Sequence, residues 1–280
     1  MQIPFFLEGA NYDSLFFYSL KNYFFLETTV YLKGDYYTQF TITENPENIL
    51  YVSYADKIRE PSDYSVKWDT NEQNIRKEEN LFIEKGYQTF CYKAYATSAT
   101  KLRIRYNLYA KESVAFIVFH ELMHNVLFKL KLEIPNSFRE AICDVVGNYA
   151  SIKYSERAEF TDLNAVIIQV NKTEEIYKCI NFFCSKIELY PRFQNHYHKK
   201  CEKQIQVILT DADLYQKDRF DYHVNNAYLL KNRYYSRHYF LLKEVLYKST
   251  NIKSFIEIIK KLPPDEDEAV ELLKKYLMEK

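Results

Sequence analysis

The rhythm of apolar and polar positions changes near residue 110. Before it, aromatic and β-branched runs at Tyr23–Tyr31, Tyr36–Thr43 and Ile49–Tyr54 are separated by the turn signals Lys33-Gly34-Asp35 and Asn45-Pro46-Glu47-Asn48. That texture predicts strands of an antiparallel sheet, although Asn11–Phe24 also fits a helix. Asp69–Glu84 is charged and carries Ile75, Leu81 and Phe82, with Gly86 just beyond it. An exposed helix is expected there, followed by a strand over Tyr87–Tyr92.

From Lys111 onward the pattern is helical. Lys111–Lys131 is apolar all round its first half, through Val114, Ala115, Phe116, Ile117, Val118 and Phe119, which predicts a helix buried on most sides. A second helix is expected over Ser137–Ser155, after Pro135. Further helices are expected over 162–190, 197–216, 222–249, 251–261 and 265–279, the last two parted by Pro263-Pro264. The expected fold class is therefore α+β: an antiparallel β-rich part over 1–110, then a mainly helical part over 111–280, with one compact unit as an alternative to two.

Composition narrows the function classes. The 280 residues are 47% hydrophobic and carry equal numbers of acidic and basic groups, 38 each. A proper core is affordable, and neither a nucleic-acid nor an anionic-membrane footprint is written in the charge. No run of about twenty apolar residues exists, so no transmembrane segment is expected. Met1–Leu7 lacks a basic start and soon meets Glu8, so it does not read as a signal peptide. A cytoplasmic protein, or a mature segment whose leader has been removed, is expected. The five cysteines are scattered, without a CxxC pair, and are expected as buried free thiols.

The chemistry lies in His120-Glu121-Leu122-Met123-His124. Histidines four apart on a helix stand one turn above each other and can converge on one ion, and the glutamate after the first is aimed at a metal-bound water. A zinc hydrolase is the expected reading, with Zn2+ as cofactor. Glu140 is the candidate third ligand. Ser137 and Glu140 also fit a capping box, in which the glutamate only satisfies a backbone donor. Yet Glu140, Asp144, Gly147 and Ser151 form a polar and small stripe on a helix whose other faces carry Phe138, Ile142, Val145, Val146 and Tyr149. Facing the motif helix, that stripe would bring Glu140 to the metal and Asp144 to the free ring nitrogen of a histidine, with Gly147 allowing close approach. His196-Tyr197-His198 is a weaker cluster, placed by its lysine-rich setting in an exposed connection. His223 and His238 lie on the later helices, and each reads as a core residue, a surface residue or a transition-state stabiliser.

Val114–Tyr154 resembles the gluzincin metallopeptidases, which pair an HExxH helix with a glutamate-bearing helix of the form E-A-x-x-D-x-x-G. The resemblance implies a zincin-like helical part, with His120, His124 and Glu140 as ligands, Glu121 as general base and Asp144 as the partner of a ligand histidine. A bacterial family of predicted aminopeptidases is similar over more of the chain, through Ala94-Tyr95-Ala96-Thr97-Ser98 and Val224-Asn225-Asn226-Ala227-Tyr228-Leu229 followed by Tyr234-Tyr235. It implies aminopeptidase-like hydrolysis of a peptide or protein substrate. Tyr234 and Tyr235 are then candidate oxyanion donors, with Asn225, Asn226 and His223 as outsiders. Arg139 stands where that family has asparagine, and the family's usual lipoprotein leader is missing. The alternative from another class is a non-catalytic binding protein that keeps the metallopeptidase fold.

Overall fold

A computed structural model describes residues 14–28, 47–94, 96–97, 103–104, 111–157, 161–210 and 223–279. Helices dominate. In chain order the elements are α1 (Ser14–Thr28), β1 (Glu47–Ser53), β2 (Lys67–Asp69), α2 (Glu72–Glu84), β3 (Gln88–Ala94), β4 (Ala96–Thr97), β5 (Arg103–Ile104), α3 (Lys111–Lys129), α4 (Asn136–Ser155), α5 (Leu163–Leu189), α6 (Gln194–Thr210), α7 (Asn226–Ser236), α8 (Tyr239–Ser249), α9 (Ile252–Ile259) and α10 (Glu266–Met278). The main sheet is antiparallel in the order β2-β1-β3, with Leu50 opposite Cys91 and Ile49 opposite Trp68. β4 and β5 form a separate antiparallel pair.

Two apolar cores hold these elements. In the first, α3 and α4 lie at the centre of a helical cluster closed by α1, α8, α9 and α10, with Phe24, Phe119, Phe138, Leu242 and Phe255 buried. In the second, Ile49, Tyr51 and Phe90 of the sheet pack with Ile180, Phe183, Ile205 and Leu229 of α5, α6 and α7. The sheet thus shares a core with helices from the second half of the chain. Several helix starts are set by side chains: Asn71, Asp162, Asn225, Asn251 and Asp265 each accept a hydrogen bond from a backbone N–H of the first turn. Among the described residues no helix is long and apolar enough to cross a membrane. All five cysteines are buried and free, as expected.

Three expectations are corrected. Residues 23–28 belong to α1 rather than to a strand: Leu20, Phe24 and Thr28 recur every fourth residue and are buried, and Phe24 stacks on Phe119 with centroids 5.8 Å apart. Packing on α3 overrides the aromatic strand preference. The helix expected over 222–249 is instead two, α7 and α8, broken at Arg237–His238. Asn181 explains the break, donating to the Ser236 carbonyl at 2.7 Å and accepting from the Ser236 hydroxyl at 2.9 Å, so a side chain satisfies the end of α7. His196–His198 lies on α6, not in a connection, and His198 is buried against Asn226 Oδ1 at 2.9 Å. The strand expected over Tyr36–Thr43, most of the turn signals near it, and Tyr95 and Ser98 of the Ala94–Ser98 segment lie outside the described residues.

What positions the site is the approach of α3 to α4. Gly147 allows it: a Cβ there would lie 3.0 Å from Phe116 Cε2 and 3.3 Å from the Phe116 carbonyl oxygen. A larger side chain must push the two helices apart. Gly147→Val is expected to destabilise the protein by about 1–3 kcal/mol through overpacking, read as a lower urea midpoint with unchanged slope. A variant as stable as the parent would show that the spacing is not constrained at this point.

Candidate metal centre

The apolar girdle of α3 buries His120 and Glu121 and leaves His124, one turn on, partly open. α4 starts at Asn136 after Pro135 with no side-chain capping hydrogen bond. Glu140 is turned to the histidines instead: its Oε2 lies 3.5 Å from His120 Nε2 and 3.5 Å from His124 Nε2. The two ring nitrogens are 3.1 Å apart. Among the described residues, these three side chains form the one group able to offer a metal ion three ligand atoms.

The size of this triangle is informative. Ligand atoms about 2.0–2.1 Å from a tetrahedral zinc ion stand about 3.3–3.4 Å from one another. The point equidistant from the three atoms, calculated from their separations, lies about 2 Å from each. Two neutral imidazoles and one carboxylate are also the donor types that zinc takes in catalytic sites, leaving one position open. The residues present therefore fit zinc.

Asp144, one turn beyond Glu140, is 3% exposed, and its Oδ1 lies 2.7 Å from His120 Nδ1. His120 Nδ1 has no hydrogen bond of good geometry, so this contact is short but off the N–H axis. Burial disfavours a charge on His120, but Asp144 and Glu140 more than offset it and hold the ring well above the usual histidine range. Burial likewise acts against the charge of Glu140, while His124 and His120 prevail and hold its carboxyl well below the carboxylate range. Glu121 is 8% exposed. Among the described residues its carboxylate makes no hydrogen bond or ion pair, and its oxygens keep some contact with solvent.

The remaining candidates separate. The Tyr235 ring lies near-parallel to His120, with centroids 6.4 Å apart and 21° between planes. Burial, followed by the charge of Glu140, pushes its phenol far above its usual range, so the hydroxyl stays a donor. Tyr234 points instead to Tyr51, at 6.3 Å, and to Glu60. His223 is not brought to the cluster: its side chain is 95% exposed and stands 3.5 Å from Glu202. Asn225 caps α7 and Asn226 is buried against the Tyr54 and Ala55 carbonyls, so both serve the fold. His238 is core, stacked on Phe138 at 4.0 Å. Arg139 donates to the Leu132 carbonyl and so braces the α3–α4 connection.

Tyr177 on α5 was not anticipated. Its hydroxyl donates to Asp144 Oδ2. One tyrosine among 27, standing 33 residues from its partner, carries no local signal that could have singled it out. The chain matches no protein-family description, no curated protein and no solved structure.

Without metal, the raised His120 contributes stability that is full below the ordinary histidine value of 6.5 and is lost as pH rises through its folded value. The lowered Glu140 contributes stability that is present above the ordinary 4.5 and is lost as pH falls through its own folded value. A zinc ion would take only the neutral ring, so its binding would expel a proton held on His120. Zinc affinity is expected to rise by up to about tenfold per pH unit above neutrality until His120 deprotonates in the free protein. Titration calorimetry in buffers of different ionisation enthalpy counts the protons; no release at pH 7 would contradict the assignment.

Proposed function

We propose that the chain is a zinc-dependent hydrolase of peptide bonds, with α3 and α4 as the paired helices of a zincin-like metallopeptidase. The observation that carries this reading is the zinc-sized triangle of His120, His124 and Glu140, beside which the carboxylate of Glu121 has no partner among the described residues. Zinc, when bound, supplies a Lewis acid that polarises water and the scissile carbonyl.

The chain's own groups do the rest. Glu121 accepts the proton of the attacking water and hands it to the leaving amine nitrogen. Among the described residues no side chain donates to or pairs with its carboxylate, which leaves a lone pair for that proton. Asp144 keeps the His120 ring turned with Nε2 toward Glu140 and His124. Tyr235, held as a neutral phenol and stacked beside His120, is the donor suited to the developing oxyanion. Substrate approaches from the side of His124 and Glu140, whose side chains are 24% and 29% exposed, against 11% for His120. A structural metal site needs no base, so the state of Glu121 favours catalysis over the alternative of a binding protein. The resemblance to predicted aminopeptidases makes release of single N-terminal residues the expected mode.

Purified protein is expected to load close to one zinc ion and to cleave members of a mixed peptide library, with products identified by mass spectrometry. Glu121→Gln should keep zinc and lose about 10²–10⁴-fold in kcat. Unchanged turnover in that variant would remove Glu121 as the base, and a loaded protein without cleavage would favour the binding reading. Internal cuts in place of trimmed N-termini would exclude the aminopeptidase mode.

A further inference from the structure

Behind the ligands, a second layer of contacts reaches a third helix. Asp144 uses both carboxylate oxygens: Oδ1 lies 2.7 Å from His120 Nδ1, and Oδ2 accepts the hydroxyl of Tyr177. Asp144 and Tyr177 are 2% and 8% exposed, so solvent cannot readily stand in for the hydroxyl. The Tyr177 ring is itself fixed, packing edge-on against Tyr239 with centroids 5.1 Å apart. The Tyr239 hydroxyl accepts from Asn148 at 2.8 Å and donates to Glu174 at 3.1 Å, and Glu174 pairs with Lys243.

We infer that Tyr177 is a positioning residue of the metal centre: by holding Asp144 Oδ2 it fixes the plane of the carboxylate, and through Oδ1 the rotation and tautomer of the His120 ring. This rests on the zinc reading above. The off-axis contact between Oδ1 and Nδ1 makes the orientation of Asp144 decisive, because a small swing of the carboxylate either makes or loses the hydrogen bond. No other described side chain donates to Oδ2. The centre is thereby built from three helices, with ligands on α3 and α4 and the brace on α5.

The test compares two phenylalanine substitutions at neighbouring buried tyrosines. Tyr177→Phe keeps the ring and removes the donor to Asp144; Tyr239→Phe removes an adjacent hydroxyl that touches Asn148 and Glu174 instead. Zinc affinity, measured by competition with a chelator, is expected to fall about tenfold in Tyr177→Phe, the low end for a group acting behind a ligand. The visible band of the Co2+-loaded protein should shift with it. Tyr239→Phe should keep the parent's affinity and band. In an Asp144→Ala background, where no carboxylate is left to hold, adding Tyr177→Phe should cause no further loss.

Equal weakening in both tyrosine variants, or an additive loss on Asp144→Ala, would assign Tyr177 to general packing and overturn the inference. The alanine background also serves if Tyr177→Phe alone does not fold, since it leaves no unpaired buried carboxylate. A parent that loads metal but is matched by Tyr177→Phe overturns the positioning role alone. A parent that takes up neither zinc nor cobalt overturns the proposed function, and this role with it.

Discussion

The contact between Gly147 and Phe116 governs the geometry of the centre. Two imidazoles and a carboxylate on different helices reach a common point only if the helix axes come close, and close approach requires a position without a side chain. Bulk on the other faces of both helices makes that approach favourable. Phe119, Leu122 and Val126 on α3 and Phe138, Ile142 and Val145 on α4 are buried in one core, so the apolar burial that drives the pair together also delivers the polar stripe to the two histidines. Glu140 illustrates the outcome. With Ser137 three residues before it, it has the sequence of a capping box, yet the cap is not made and the carboxylate lies between two imidazoles.

How far the site is legible in the sequence follows from the range of each interaction. His120, Glu121 and His124 sit on one helix, where the four-residue spacing fixes their relation, and the stripe from Glu140 to Gly147 is equally local. Both are readable from their own segments. Tyr177 is not, because its relation to Asp144 depends on where α5 crosses α4. His223 fails for the opposite reason: the sequence marks it as a scarce residue type near a family-like segment, but its environment is solvent and Glu202. The fold shows the same divide. The buried helices and the β1–β3 pairing follow their patterns, whereas α1 contradicts its aromatic strand texture, because a tertiary contact with Phe119 decides the matter. The break between α7 and α8 is set by Asn181, which lies 55 residues away from Ser236.

The electrostatics of the cluster favour positive charge at its centre. Glu140, Asp144 and Glu121 gather around His120 in a largely buried region, where the charge of each raises the cost of the others. Asp144 and Glu140 outweigh burial and shift His120 toward its protonated form. A divalent cation at the same point would meet that cost more fully, and would release the proton in doing so. For holding α3 to α4 alone, an apolar core of similar volume would serve without a largely buried carboxylate that has no partner among the described residues.

The asymmetry of burial carries the argument one step further. His120 is the more enclosed histidine, with Asp144 at its Nδ1 and Tyr177 holding Asp144 in turn, whereas His124 and Glu140 are partly exposed. Anything that reaches the cluster from solvent would meet His124 and Glu140 first, since their side chains are the more exposed. Rigidity on one face and access on the other are the conditions under which a positioned base is effective. The residues that provide the rigidity lie on α4, α5 and α7, so the packing of helices far apart in sequence decides how well two histidines one turn apart can function.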